Sequence, residues 1–346
     1  MSARKADTEI TVPHPRETSE LFGHREAETA LLSAYKSGRI PHAWLIGGGQ
    51  GIGKATLAYR MARFVLTHRD PLSASVQRAD TLAVDPNGSV ARHVASSSHG
   101  GLLTLERTLN DKGVMRTVIA VDQTRETISF FGSTAAVEGW RVCIVDTVDE
   151  LNPNAANALL KVLEEPPQQS LFLLISHAPA RVLPTILSRC RKLMLRPLSA
   201  EDVIRAAAQA TGLAADDPAL AEAAAASEGS VARALTLMGG DTLKLQQRTA
   251  ALLASLPRVD PRELHALGEA LGTSDRVALS AFVDSVDRWV AERLRIGNAN
   301  ANLPRLARLA EVWEKIARAA RDTQDYNLER KPLVFSVFSM LADATR

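Results

Sequence analysis

A glycine-rich segment near the start of the chain has the spacing of a loop that holds phosphate groups. Residues 47–56 read GGGQGIGKAT, and the run from Gly48 through Gly53 to Lys54 fits the pattern G-x-x-x-x-G-K. In such a loop the backbone N–H groups cradle phosphates, the lysine reaches the β- and γ-phosphates, and a following hydroxyl binds Mg²⁺. Gly48, Gly51, Gly53 and Lys54 supply the first two contributions. The segment predicts a nucleotide site, with a glycine turn that binds no nucleotide as the alternative.

The residues that would bind the metal and activate water are missing. Ala55 stands where the hydroxyl is expected, and Thr56 comes one residue late, about 100° further round a helix. The segment RVCIVDTVDE ends an apolar run in Asp146, a carboxylate placed to hold Mg²⁺ indirectly, but Thr147 stands where many ATPases have a glutamate base. Losing one preorganised group of this kind typically costs about 10² to 10³ in rate. We therefore expect no useful hydrolysis of ATP.

A third candidate is an arginine between a helix and a strand. Arg189 lies in LSRC, which follows LPTI and precedes the apolar segment KLMLRP. One role open to it is a structural ion pair. The other is that of an arginine finger, which stabilises charge on a nucleotide held by a neighbouring subunit and is worth about 10³ to 10⁵ in rate. The residues alone leave both roles open.

The hydrophobic pattern predicts the elements that would position these side chains. Continuous apolar runs of strand length occur at 42–46, 102–106, 142–146 and 171–176. Helical apolar spacing follows the glycine loop and recurs over 152–167. Strands that alternate with helices predict an α/β fold with a doubly wound, mostly parallel sheet. Residues 69–101, rich in Ser, Asp and His, are expected to form a less regular, exposed excursion.

The remainder of the chain has a helical pattern rich in Ala, Leu and Arg. Ser199 is placed to cap a helix that Gly212 ends, and a second helical unit from Pro218 to Met238 is broken at Gly229. Long amphipathic helices follow to the end of the chain. The predicted domains are an α/β domain at 1–197, a small helical domain at 198–240 and a larger helical domain at 241–346.

Composition narrows the class of protein without choosing a function. The 346 residues include 41 Lys and Arg against 39 Asp and Glu, a balance that neither demands nor excludes a nucleic-acid surface. The polar N-terminal segment has no apolar core of a secretory signal, and no run of about eighteen apolar residues occurs. The two cysteines, Cys143 and Cys190, fit no common zinc spacing with His93 or His99. We expect a cytoplasmic location, no membrane and no zinc.

Four segments taken together resemble one family. They are SGRIPHAWLIGGGQGIGKATLA, NPNAANALLKVLEEPP, LPTILSRC and EGSVARAL, and they are similar to the clamp-loader branch of the AAA+ proteins. The segment DYNLERKPLVFSVFSMLA is similar to the end of the collar domain in the delta-prime family of DNA polymerase III subunits. The resemblance implies an AAA+ P-loop domain with a doubly wound, mostly parallel sheet, a small helical lid and a C-terminal all-helical collar that mediates oligomerisation.

The same resemblance implies a function and partners. Members assemble with gamma/tau-type motor subunits and a delta subunit, within a DNA-directed DNA polymerase complex, and help to load a sliding clamp on primed DNA. Arg189 then becomes an arginine finger in trans, while Lys54 and Asp146 become remnants of a nucleotide site formed with Gly48, Gly51 and Gly53. Such a stator has no ATPase activity of its own and requires no cofactor, although ATP or ADP can be bound without hydrolysis.

The departures from the family pattern favour a stator over a motor. Motor subunits have a hydroxyl and a glutamate where this chain has Ala55 and Thr147, and Ala232 replaces the sensing arginine of the lid, with Arg233 one position away. The cysteine-free stretch 69–101 lacks the zinc module that many relatives carry there. The resemblance therefore does not imply a zinc site in this chain.

Two alternative functions of the chain remain open. In one, the chain is an active AAA+ motor or a related DNA-remodelling ATPase, in which Thr56 or a carboxylate of Asp149 or Glu150 restores the chemistry. In the other, it is a nucleic-acid-binding helical protein with a decayed P-loop. Lys161 on the predicted helix either contacts DNA or lies on a solvated helix face.

Overall fold

The computed structural model divides the described chain into two compact units. The described residues are 13–108, 119, 121–132, 139–238, 242–272, 276–297, 303–326 and 328–345. One unit covers residues 10–234 and the other includes residues 235–346. Residues 198–234 of the predicted lid thus fall in the first unit, together with the α/β region, and residues 235–238 fall in the second. The predicted boundary after residue 240 lies outside the described residues.

A five-stranded parallel sheet lies at the centre of the first unit. Its strands are β1 (Ala43–Gly47), β2 (Leu102–Glu106), β3 (Arg141–Asp146), β4 (Ser170–Ser176) and β5 (Arg191–Met194). The strand order is β2-β3-β4-β1-β5, and every described pairing is parallel. β1 and β4 are buried along their whole length, as expected for strands covered on both faces. The predicted parallel sheet is confirmed.

Successive residues of each central strand face two separate hydrophobic cores. Trp44 and Ile46 of β1 pack into a core that contains residues of α1 (Arg25–Lys36) and α2 (Lys54–Thr67). Leu45, between them, packs into a second core with residues of α6 (Pro153–Glu164). The two-residue period of a strand produces this alternation, so helices on both faces cover the sheet.

The prediction of an irregular, exposed excursion at 69–101 was wrong in part. Two short helices lie there, α3 (Ala74–Arg78) and α4 (Ser89–Ala95). Val76, Leu82 and Val94 are fully buried in the core beside α2. Three widely spaced apolar residues are too few to give a helical period, although each contributes to the core once the chain is folded.

The remaining elements of this unit follow the sequence more closely. Helices α5 (Val121–Gly132) and α7 (Pro184–Leu187) precede the lid, which consists of α8 (Ala200–Thr211), α9 (Pro218–Ala226) and α10 (Val231–Met238). The Ser199 hydroxyl accepts a hydrogen bond from the Asp202 amide at 3.1 Å and caps α8. Gly212 ends α8 with φ of 72°, a left-handed conformation that glycine adopts freely.

The second unit is helical throughout its described residues. Its helices are α11 (Thr242–Ala254), α12 (Pro261–Gly272), α13 (Arg276–Gly297), α14 (Leu303–Asp325) and α15 (Arg330–Thr345). Val286, Val290, Val334 and Leu341 are fully buried in a core of their own. No helix among the described residues of either unit has the length and apolar character needed to cross a membrane.

Candidate functional site

The glycine loop joins β1 to α2, at the carboxyl edge of the sheet. Gly48, Gly51 and Gly53 have φ values of 147°, 72° and 98°, which side-chain-bearing residues rarely adopt. A Cβ added to Gly48 would lie only 2.7 Å from the backbone oxygen of Leu195. The loop therefore needs its glycines both for backbone conformation and for space. Lys54 begins α2 directly after the loop.

Lys54 turns back into the loop that precedes it. Its side chain is buried, and its ammonium group donates hydrogen bonds to the carbonyl oxygens of Gly48, at 2.8 Å, and Gly49. Burial lowers the pKa of Lys54 to about 8, against the opposing attraction of Asp146 and Asp149. The loop carbonyls thus take the hydrogen bonds that a bound phosphate would receive from this lysine.

Asp146 lies at the end of β3, opposite Glu106 of β2 in the sheet register. Burial, followed by repulsion from Glu106, raises the pKa of the Asp146 carboxyl, while Lys54 opposes the shift. Thr147 is almost fully buried, and its hydroxyl has no hydrogen-bond partner among the described residues. A threonine hydroxyl is not a general base, so the position of the expected glutamate lacks one.

Asp149 is committed to another role. Its carboxylate accepts hydrogen bonds from the Ser176 hydroxyl at 2.7 Å and from the amides of His177 and Ala178 at 2.5 and 3.2 Å. Glu150 pairs with Arg107 at 2.9 Å. Of the two carboxylates considered as possible replacements for the missing base, Asp149 therefore fixes the loop after β3 against the end of β4. Glu150 fixes the same loop against Arg107, which directly follows β2. Freeing either one would leave its partners without these hydrogen bonds.

The lid contacts the glycine loop directly. The amide of Val231, at the start of α10, donates to the carbonyl oxygen of Gly51 at 2.9 Å. A Cβ on Gly51 would lie 2.7 Å from the Cβ of Ala232 and would also meet the Ser230 hydroxyl. Arg233 lies within the lid, 3.8 Å from the Glu228 carboxylate. Ala232, at the position of the family's sensing arginine, thus packs against the loop.

These contacts determine how well the loop residues fit a phosphate group and a Mg²⁺ ion. The glycine conformations fit a phosphate cradle, but the Lys54 ammonium is bonded to the loop itself and Ala232 crowds Gly51. For Mg²⁺ the fit is poor, because Ala55 offers no side-chain oxygen to bind the ion. The site retains a phosphate-binding shape without a set of metal ligands.

Arg189 lies far from the glycine loop in the sequence, two residues after the end of α7. Its guanidinium donates to the carbonyl oxygen of Thr185 at 2.8 Å and to the Glu164 carboxylate at 2.7 Å. One third of the side chain is exposed. Glu164 ends α6, so an ion pair joins the segments LLKVLEEPP and LSRC. A pair this exposed contributes about 0 to 1 kcal/mol, so its main effect is to orient the arginine.

Sequence reasoning missed two partners of the loop. The Nε2 atom of His24 lies 2.7 Å from the carbonyl oxygen of Ile52. Burial lowers the pKa of this histidine. Ser230 and its neighbours form the contact with Gly51 described above. Both residues come from segments far from the loop in the sequence, so their contacts with the loop depend on the folded structure. Lys161 is exposed on α6, as expected for either of its two roles.

The described residues contain no group of three or more His, Cys, Asp or Glu side chains placed to hold a metal ion. Cys143 is buried and Cys190 partly buried, and neither forms a disulfide. The expectation that the protein needs no zinc stays a prediction.

The sheet, the glycine loop after β1 and the helical lid define a P-loop protein of the AAA+ class. A family model described as DNA polymerase III, delta subunit, matches residues 23–199, a little over half of the chain. The chain belongs to this family, on the clamp-loader branch of the AAA+ proteins.

Individual relatives agree with this assignment. DNA polymerase III subunit delta' of Pseudomonas aeruginosa is 37% identical over 149 residues, which cover 43% of this chain and 41% of the relative. Subunit delta' of Escherichia coli is 30% identical over 231 residues, 66% of this chain and 64% of that one. Subunit tau of Escherichia coli is 27% identical over 278 residues, 78% of this chain and 40% of tau. This chain thus spans between two fifths and two thirds of the length of these relatives.

Proposed function

We propose that this chain is a non-hydrolysing stator of a DNA polymerase III clamp loader. In this proposal it assembles in the cytoplasm with gamma/tau-type motor subunits and a delta subunit, and the complex loads a sliding clamp on primed DNA. Arg189 stabilises charge on ATP bound by a neighbouring motor. The chain itself needs no cofactor or zinc, and any ATP or ADP in its own loop is not hydrolysed.

One contrast carries the proposal. The glycine loop lacks a metal ligand and a base, at Ala55 and Thr147, while the Arg189 guanidinium stays partly exposed at a corner where Glu164 orients it. A cation fixed in an accessible position is the part that an arginine finger requires. The bonded state of Asp149 weighs against the rival function, an active motor that recruits a loop carboxylate as its base.

Replacing Arg189 tests the proposal. We expect Arg189→Ala to leave folding and assembly intact and to lower the DNA- and clamp-stimulated ATPase of the reconstituted loader by the share of turnover that the site facing Arg189 supplies. A finger in trans is worth about 10³ to 10⁵ at its own site, and the other motor sites dilute this loss. Arg181→Ala is the matched control, because Arg181 is also an exposed arginine, in the turn just before α7.

Two results would contradict the proposal. Unchanged stimulation in the Arg189→Ala loader, with assembly verified by gel filtration, would leave Arg189 a purely structural residue. Steady-state turnover of ATP near one per second by the isolated chain, typical of a working enzyme, would instead favour an active motor. Failure of the chain to co-elute with motor and delta subunits would remove the clamp-loader role altogether.

A further inference from the structure

A pocket of about 90 Å³ lies beside α2 and takes no part in the function proposed above. Its walls come from the segment before α1, from α2 itself and from residues 82–95, which include α4. Four arginines and a single carboxylate line it: Arg16, Arg60, Arg63, Arg92 and Glu17. Part of the wall thus comes from the excursion whose sequence indicated no role.

Arg63 is the deepest charge of this pocket. Its side chain is only 4% exposed. It donates hydrogen bonds to the backbone oxygens of Arg16 at 2.9 Å and Thr18 at 2.5 Å, and no carboxylate pairs with it in the described part of the chain. Burial, followed by repulsion from Arg60, lowers the pKa of Arg63 to about 10. A buried charge without a counter-ion is costly, so this position favours an anion.

The other three arginines of the pocket differ in whether a carboxylate lies near them. Arg60 is bonded to Glu28 at 2.6 Å, and the same Glu28 oxygen also accepts from the Leu82 amide. Arg16 lies 3.7 Å from Glu106, too far for a short ionic hydrogen bond. Arg92 is exposed at the rim and has no ion-pair partner within the described ranges. Arg63 and Arg92 are thus the two pocket arginines without an ion-pair partner in the described part of the chain, and Glu17 is the carboxylate that lines the pocket with them.

We propose that this pocket binds a small phosphate-type oxyanion, with Arg63 and Arg92 as donors. A guanidinium has five N–H donors, and Arg63 uses two of its nitrogens for one bond each, so further donors remain. Guanidinium groups match tetrahedral oxyanions in charge and geometry. The volume exceeds the roughly 10–15 Å³ that one water needs, which leaves room for an anion of a few heavy atoms.

This site is separate from the glycine loop. Arg60 and Arg63 follow Lys54 on the same helix, about 9 to 14 Å further along its axis at about 1.5 Å per residue. Phosphate binding at the two places is therefore separable by mutation. The proposal also stands whether or not the chain acts as a stator.

The test is a titration of the full chain with orthophosphate, in which binding is measured by calorimetry and by the shift in Tm. Chloride at the same ionic strength is the reference salt. Lys54→Ala removes the glycine-loop lysine, Arg92→Gln removes a rim donor without touching the core, and Glu17→Gln removes the opposing carboxylate. We expect saturable binding that Lys54→Ala leaves unchanged, that Arg92→Gln weakens at least about fivefold and that Glu17→Gln strengthens. A second titration with AMP distinguishes a phosphate ester from the free ion.

The outcomes separate cleanly. Binding lost in Lys54→Ala but kept in Arg92→Gln would assign the anion to the glycine loop and overturn the proposal. A Tm shift that rises without saturation and is equal in all variants would be the general stabilising effect of excluded salts, and would overturn it equally. Absence of any response in the unmodified chain at millimolar orthophosphate would do the same.

Discussion

At the scale of single residues, the buried ammonium group of Lys54 links the glycine loop to the stability of the chain. The side chain is 3% exposed and bonded to loop carbonyls, and burial lowers its pKa from 10.5 to about 8. Each unit of pKa shift corresponds to about 1.4 kcal/mol, so burial makes the charged form of this lysine less stable in the folded state by about 3 to 4 kcal/mol. A motif residue kept without its ligand thus destabilises the fold.

We predict that Lys54→Met increases the free energy of unfolding at pH 7 by about 1 to 3 kcal/mol, after the loss of the carbonyl hydrogen bonds is included. The folded pKa lies below the unfolded value, so the unfolded chain binds more protons between about pH 8 and 10.5. The free energy of unfolding of the unmodified chain should therefore rise relative to that of the variant as pH rises through that window. Urea unfolding of both proteins from pH 7 to 10 measures the difference, and a difference independent of pH would contradict the prediction.

Among the elements, the contact between the lid and the glycine loop depends on one glycine. Gly51 has φ of 72° and receives the start of α10, with Ala232 and Ser230 against the place where a side chain would lie. Gly212, at the end of α8, has the same φ of 72° but nothing within 4 Å of an added Cβ. The two glycines thus share a left-handed backbone conformation, and the space around an added Cβ differs between them.

This pair gives a matched comparison. We predict that Gly212→Ala lowers the free energy of unfolding by about 1 to 2 kcal/mol, the cost of alanine in a left-handed conformation. Gly51→Ala should cost about 1 to 3 kcal/mol more, because the methyl group also overpacks the contact with Ala232. Denaturant unfolding of the two variants isolates the crowding, and equal losses would mean that the lid does not press on the loop.

For the whole molecule, each of the two units has a hydrophobic core of its own. The core around α2 and the sheet contains residues such as Leu57 and Leu173, and the helical unit is built around residues such as Val286 and Val334. A chain cut after residue 240, beyond the end of α10, retains all the elements of the first unit.

We predict that residues 1–240 fold alone and unfold in a single cooperative transition, because a unit with its own core does not need its neighbour to exclude water. Circular dichroism and thermal unfolding test this. A fragment with helical signal but no cooperative transition would show that the first unit depends on the second.

Much of the architecture was predictable because it depends on local pattern. Apolar runs such as VCIVD and LFLLIS became the buried strands β3 and β4, and Ser199 and Gly212 bound a helix as their types indicate. The helices in 69–101 were not predictable, since only a few buried residues in that stretch contribute to the core. For the same reason the sequence did not predict the pocket beside α2. Its arginines come together only when α4 and the segment before α1 lie beside α2.

The sequence by itself determined which groups are present: a glycine loop with its lysine, no hydroxyl at Ala55, a threonine at 147 and an arginine in LSRC. Residue type and spacing carry that information, because a missing oxygen at one position cannot be restored by folding. Only the tertiary structure decided how those groups are used. It bonds Lys54 to its own loop, commits Asp149 to the end of β4 and aligns Arg189 with Glu164. Each of these contacts joins residues whose side-chain directions depend on packing, which no local pattern records.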